Sequence, residues 1–399
     1  MSGPLSGVRI IDLTMVISGP MATQYLADQG ADVIKVESGR GDIARWLGPR
    51  KGAISSMFAT ANRNKRSIML DLKADQGRQV LADLIKTADV VVENFRPGAM
   101  ARLGFPWETI RALNPKAVYC AISGFGQTGP YNQVRVYDPV IQATSGVSSM
   151  QRDRRTDQPS LVQFLVCDKL TALTAAQAMT AALFAAQRSG KGQKIELSML
   201  DAAIAFNWPE GMWNETFLDP EPAAPDFGSF YRLLPTKDGY IAIAAVQDDE
   251  FKAVCEGLGR PDLLTDPRFS TNAGRMQNIE AWRHEIESLA AAKTSRELMD
   301  SLAAAGAPAG IFNERSVLKD DPQVIHQQSI IEYDNGAGVG RVRGPSHPAR
   351  FSQTPAGIRR GAPGLGEHTV EILAELGRTS EEITALTQVR QAPEAGPQI

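Results

Sequence analysis

Between residues 8 and 122 the chain alternates short apolar runs with amphipathic stretches, and no other feature constrains its fold as strongly. Val8-Arg-Ile-Ile-Asp-Leu13 reads as a strand, 20–28 as a helix, and Asp32-Val-Ile-Lys-Val36 as a strand again. A helix over about 75–86, a buried strand Asp89-Val-Val-Val-Glu93, a helix around 107–113 and a strand Ala117-Val-Tyr-Cys-Ala-Ile122 continue the series. Strands apolar on both faces and separated by helices belong inside a parallel sheet covered on both sides. The expected fold class is therefore α/β, with a doubly wound large domain.

At 399 residues the chain exceeds one ordinary core. The polar run 151–160 reads as a solvated loop, followed by an Ala-rich helix opening at Asp168, and Gly190-Lys-Gly192 turns the chain into a strand Lys194-Ile-Glu-Leu-Ser198. Pro220, Pro222 and Pro225 mark a linker over 215–228. Beyond it a hairpin, Tyr231-Arg-Leu-Leu and Tyr240-Ile-Ala-Ile-Ala-Ala245 around Lys237-Asp238-Gly239, precedes helices through 251–304. The expected organisation is a large domain over 1–214, the linker, a smaller α+β domain over 229–335, and a Gly/Pro-rich linker with C-terminal helices over 336–399. The last helix is begun by the capping pair Thr379 and Glu382.

A formal net charge of -3 gives no electrostatic case for nucleic acid. Cys120, Cys167 and Cys255 lack metal-ligand spacing, which argues against a disulfide framework or zinc and for a reducing, cytoplasmic setting. Glu93 and Glu196 stand singly, so no metal is expected. There is no secretory pattern at the start and no membrane-length apolar run. All four histidines lie at or beyond His284, so earlier residues must do their chemistry without imidazole. Gly124-Phe-Gly126-Gln-Thr-Gly129 has dinucleotide-fingerprint spacing, but Pro130-Tyr131-Asn132 continues as loop where that site needs a helix start. Arg40, Arg45, Arg63, Lys65, Arg66, Lys73, Arg96, Arg102 and Arg135 punctuate loops after successive strands, a distribution suited either to an ordinary basic surface or to a polyphosphate ligand. Asp168 at a helix start reads either as an N-cap kept acidic by the helix dipole or as a carboxylate nucleophile.

The chain also resembles the class III CoA-transferase family, which includes formyl-CoA transferase, carnitine CoA-transferase and the α-methylacyl-CoA racemases. The resemblance is carried by Pro4-Leu-Ser-Gly-Val-Arg-Ile-Ile-Asp-Leu, Ala31-Asp-Val-Ile-Lys-Val-Glu, Asn64-Lys-Arg-Ser-Ile-Met-Leu-Asp-Leu-Lys, Val92-Glu-Asn-Phe-Arg-Pro-Gly, Ser123-Gly-Phe-Gly-Gln-Thr-Gly-Pro, Tyr137-Asp-Pro-Val-Ile-Gln-Ala-Thr-Ser-Gly and Gly190-Lys-Gly-Gln, in that order. It implies a CoA-transferase moving CoA from an acyl-CoA donor to a carboxylic acid, with Asp168 as nucleophile passing through a mixed anhydride and an aspartyl-CoA thioester. By the same resemblance Ile17, Ser18, Leu70, Lys73, Asn94, Phe95, Arg96, Arg102, Val134, Arg135 and Tyr137 bind CoA. Lys73, Arg102 and Arg135 meet phosphates there, and Phe95 and Leu70 flank the adenine. The large domain becomes a Rossmann-like CoA-binding domain in an interlocked homodimer, with CoA as substrate and no tightly bound cofactor.

Three departures bear on substrate. Where formyl-CoA transferases carry a glycine run, this chain reads Pro225-Asp-Phe-Gly228-Ser-Phe; where they carry His-Val-Gln-Ala, it reads Met15-Val-Ile-Ser18. Both favour a larger or more apolar acid than oxalate. Racemases place a His where Tyr137 precedes Asp138, and a phenol of pKa about 10 is a poor base near neutrality. Asp138 reads evenly as a cap or as support near the substrate. The alternatives are an acyl-CoA racemase or isomerase, and a non-catalytic CoA-binding protein.

Overall fold

The computed structural model of the chain describes residues 3–153, 156–219 and 232–388. These fall into two compact units, one comprising Met1–Ala223 with Gln328–Ile399 and the other Ala224–Gln327. The expected linker 215–228 and the Pro225–Phe230 segment lie largely or wholly outside the described residues.

The first unit is built on six parallel strands: β1 (Arg9–Asp12), β2 (Asp32–Glu37), β3 (Lys65–Met69), β4 (Val90–Glu93), β5 (Val118–Ser123) and β6 (Lys194–Ser198). Their spatial order is β3-β2-β1-β4-β5-β6. Successive side chains of a strand point to opposite faces, and the apolar runs feed two cores accordingly. Ile10, Val33, Val90, Val92, Val118 and Cys120 pack against α1 (Ser18–Asp28) and α5 (Val166–Ser189). Ile11, Ile34, Val91, Tyr119 and Ala121 face α2 (Asp75–Lys86), α3 (Trp107–Leu113) and α10 (Thr369–Glu375). Helices thus cover both faces, as the alternation in sequence predicts.

In α5, Ala172, Ala175, Ala176, Met179, Ala182 and Leu183 recur at helical spacing and are buried. The small side chains of the four alanines let the helix lie close to α1 and the sheet. It ends at Gly190, whose φ of +71° suits glycine. Two residues on, a Cβ at Gly192 would stand 1.9 Å from the Ala117 carbonyl oxygen, so the backbone there can enter β6 only without a side chain. No helix follows the glycines at 124–129; the chain runs as loop to α4 (Asp138–Thr144). After β6 comes α6 (Met199–Gly211).

In the second unit an antiparallel sheet, β9-β8-β7, joins β7 (Leu233–Pro235), β8 (Tyr240–Ile243) and β9 (Ala309–Ile311). The expected hairpin is present from residue 233; Tyr231 lies outside the described residues. The sheet packs on α7 (Asp248–Leu258), α8 (Ile279–Ala291) and α9 (Ser295–Ala305) through a core that includes Ile241, Phe251, Trp282 and Leu298.

The chain rejoins the first unit from Gln328 rather than from 336. It forms a hairpin, β10 (Ile330–Asp334) with β11 (Arg341–Pro345), before α10 and α11 (Ser380–Gln388). The Gly366-Glu-His368-Thr segment docks on β3: His368 N–H donates to Ser67 O at 2.9 Å and Met69 N–H to Thr369 Oγ1 at 3.2 Å. Thr379 and Glu382 form the expected reciprocal cap, with amide-to-side-chain bonds of 2.8 and 3.3 Å. Among the described residues no helix is long and apolar enough to cross a membrane.

Candidate active site

The strand order reverses between β1 and β4, and the loops leaving their carboxyl ends diverge to opposite faces. That divergence opens a crevice at the sheet edge where open α/β folds bind ligands. Here the β1–α1 loop, the β4 loop and the β5 loop, together with the first turn of α5, enclose a cleft of about 450 Å³. Its lining includes Ser18, Asn94, Phe95, Arg96, Val134, Arg135, Tyr137 and Asp168. A neighbouring niche of about 380 Å³ is lined by Phe95, Arg96, Ala99, Arg102 and Leu103. An aromatic ring beside two guanidiniums suits a flat, anionic ligand part.

Four expected site residues stand elsewhere. Leu70 is 1% exposed and belongs to the core, because Ile68, Leu70 and Leu72 continue the inward alternation of β3 past its end. Ile17 is buried at the start of α1, and Lys73 is exposed in the turn before α2; neither lines either of these two clefts. Asp138 is fully buried beneath the site rather than facing it.

Of the basic residues expected in loops, four are paired with carboxylates of the fold, and two of these, Lys65 and Arg66, stand on β3 itself. Arg45 makes a two-pronged pair with Glu37 (2.8 and 2.7 Å), Arg63 pairs with Asp28, Lys65 with Asp12, and Arg66 with Asp32, Glu371 and Glu375. Arg96, Arg102 and Arg135 remain at the clefts. The charge pattern in sequence cannot separate these groups, since their partners are distant in the chain.

Asp168 is not the N-cap of α5. The helix begins at Val166, which puts Asp168 in the first turn, and its amide donates to Asp138 Oδ2 at 2.9 Å. Asp138 therefore satisfies a helix-start N–H from 30 residues away, and its other oxygen accepts from Gln142 Nε2 at 2.5 Å. The Asp168 carboxylate is thereby free to face the cleft, which Ser18, at the start of α1, also lines, its hydroxyl and backbone N–H favouring the charged form of the acid.

Burial, reinforced by the Asp138 charge, pushes the Asp168 carboxyl up to about 6, and the Ser18 bonds and Lys169 only partly offset this. The helix dipole does not keep it acidic, as local sequence suggested. The result is a carboxylate that ionises just below neutrality and is poorly solvated once it does. Burial and the same two carboxylates push the adjacent Cys167 thiol to about 12, so it is no competing nucleophile.

The cleft wall is braced from behind. Asn94 brackets Met15, accepting from its N–H and donating to its carbonyl, both at 2.8 Å. Glu93 accepts from Phe95 N–H at 2.7 Å and from the Tyr119 hydroxyl at 2.9 Å, and burial raises it to about 7. Met15 and Val16 supply apolar lining, joined by Ile43 and Met199, to which nothing in the sequence pointed. Among the described residues no group of three or more His, Cys, Asp or Glu is placed to hold a metal ion.

Residues 5–369 match the family described as CoA-transferase family III. An acyl-CoA transferase of Fusarium pseudograminearum is 37% identical over 96% of this chain and 86% of its own length. The succinate–glutarate CoA-transferase of Agrobacterium fabrum is 38% identical over 94% of this chain and 96% of its own. Among solved structures, a CAIB/BAIF family protein from Brucella suis superposes with a TM-score of 0.80 at 32% identity, covering 94% of this chain and all of that one.

Proposed function

This chain belongs to CoA-transferase family III, and on that premise we propose that it exchanges CoA between an acyl-CoA and a carboxylic acid through covalent chemistry at Asp168. The observation that carries the reading is the Asp168 carboxylate itself: buried, beside Ser18, raised to about 6 and open to a cleft with two arginines. At neutral pH it is ionised but scarcely hydrated, which favours attack on a carbonyl carbon.

In the proposed sequence Asp168 attacks the thioester carbonyl, and the C–S bond breaks to give CoA thiolate and a mixed anhydride. The thiolate attacks the aspartyl carbonyl of that anhydride; the first acid leaves as its carboxylate and an aspartyl-CoA thioester remains. An acceptor carboxylate attacks this thioester, forming a second anhydride and releasing thiolate. Attack of the thiolate on the acceptor's acyl carbon gives the new acyl-CoA and regenerates Asp168. Each tetrahedral intermediate carries an oxyanion, for which the N–H of Ser18 at the start of α1 is a suitable donor. Arg96, Arg102 and Arg135 take the phosphates, with Phe95 beside the adenine.

The apolar lining from Met15, Val16, Ile43 and Met199 favours an acid with a methylene chain, and the Agrobacterium relative's succinate and glutarate set the first pair to test. The active form is read as a homodimer. Purified protein should be given acyl-CoA donors crossed with carboxylic acids, succinyl-CoA with glutarate first, and new CoA thioesters sought by mass spectrometry. No exchange, with α-deuteration of the acyl-CoA in heavy water, would replace this reading with a racemase.

A further inference from the structure

The loop that presents Ser18 holds a conformation its own residues resist. Val16 has a φ of +70°, in the left-handed region, where a β-branched side chain crowds its own backbone. Nothing in Thr14-Met-Val-Ile-Ser18 favours that turn.

Side chains from other elements hold it instead. Lys35 Nζ, on β2, donates to Thr14 O at 2.8 Å; Asp42 Oδ1 accepts the Val16 N–H at 3.0 Å; Lys65 Nζ, on β3, donates to Pro20 O at 2.8 Å. Lys35 and Asp42 are themselves an ion pair at 2.9 Å with both side chains fully buried. Burying two charges beneath a surface loop is costly unless they are well paired and hydrogen-bonded, and here the added bonds go to the Thr14 carbonyl and to the N–H of the strained residue itself. Burial works against the Lys35 ammonium, but Asp42, Asp12 and Glu37 outweigh it and raise its pKa, so the lysine stays charged.

From this juxtaposition we infer that Asp42, fixed by Lys35, is a positioning residue for the reaction: it clamps Val16 in the left-handed conformation and so aims the N–H and hydroxyl of Ser18 at the Asp168 carboxylate. The inference rests on the reading of Asp168 as nucleophile. Asp42 also accepts the Ala44 N–H at 2.9 Å, capping the short turn Ile43–Trp46, and a cap alone would affect stability but not the chemical step.

The test is a comparison of Asp42→Ala and Asp42→Asn in the native sequence and in a Val16→Gly host. Releasing a residue from a strained conformation that the fold maintains corresponds to about a tenfold effect or more, so Asp42→Ala should lower kcat about tenfold. KM for the acyl-CoA should change by less than about twofold, because the Ser18 bonds serve the reacting carboxylate rather than ground-state binding. Asp42→Asn keeps an oxygen for the Val16 N–H but loses the Lys35 pair, so it should lose less kcat than Asp42→Ala. Glycine adopts a positive φ freely, so in the Val16→Gly host the same Asp42→Ala change should cost less than about threefold.

Equal losses of kcat in both hosts, or native kcat in folded Asp42→Ala, would overturn the inference. If Asp42→Ala fails to fold, recovery of a folded protein in the glycine host supports the clamp, and unfolding in both hosts overturns it. Failure of the Asp168 reading would be visible separately, in the unmodified protein, as absence of exchange or of covalent chemistry at that residue.

Discussion

Replacing Asp168 with Asn should abolish transfer and yet stabilise the fold, with a pH dependence that follows from its burial. Its carboxyl lies at about 6 in the folded chain against 3.8 for the ordinary group. A carboxyl raised on folding binds its proton more tightly in the native state, so its contribution is fully present below about pH 4 and is lost as pH rises through 6. A difference of about two pH units corresponds to about 3 kcal/mol that the native protein forgoes at neutral pH. Asp168→Asn has no charge to bury and its amide oxygen can still accept from Ser18, so at pH 8 it should be more stable by up to about 3 kcal/mol. Urea unfolding of both proteins at pH 4 and pH 8 measures this, provided each transition is two-state. The gain should appear only at the higher pH. A variant no more stable than the native protein at pH 8, or more stable by the same amount at both, would refute the electrostatic account of the site.

Other perturbations separate neighbouring roles. kcat/KM should fall below about pH 6 as Asp168 takes up its proton. Asp138→Asn removes the second cause of the raised value while leaving an acceptor for the Asp168 amide, so a pH–rate profile should show the acid limb moved down by about one unit. An unmoved limb would rule out charge coupling between the two aspartates. Lys65→Met strands the Asp12 carboxylate in the core and should cost about 3–5 kcal/mol in denaturant unfolding. Arg135→Ala, removing a charge-assisted phosphate contact, should raise KM for the CoA ester about tenfold with little change in kcat; an unchanged KM would place the phosphates elsewhere.

The layered α/β framework was legible in the chain because Val90-Val-Val and Val118-to-Ile122 are apolar on both faces, a pattern that few structures other than a covered parallel sheet can bury. The capping pair at Thr379 and the glycine entering β6 were legible for equally local reasons. What escaped were relations between distant residues. Asp168 looked like its own helix cap, whereas Asp138 takes its amide. Arg45 and Lys65 looked like surface cations, because a charged residue in a loop or at a strand end is usually solvated, yet Glu37 and Asp12 neutralise them in the interior. Leu70 was carried to the CoA site by resemblance alone, against a strand alternation that already pointed it inward. The strain at Val16 left no mark in sequence, since the residues that impose it lie on β2 and on the loop beyond it.

Chemical trapping at Asp168 bears most directly on the proposed mechanism. Protein incubated with succinyl-CoA and hydroxylamine, then digested and analysed by mass spectrometry, should lose activity as an aspartyl hydroxamate accumulates at Asp168, because both the anhydride and the aspartyl thioester are open to the amine. Continued CoA exchange with an unmodified Asp168 peptide would contradict the account.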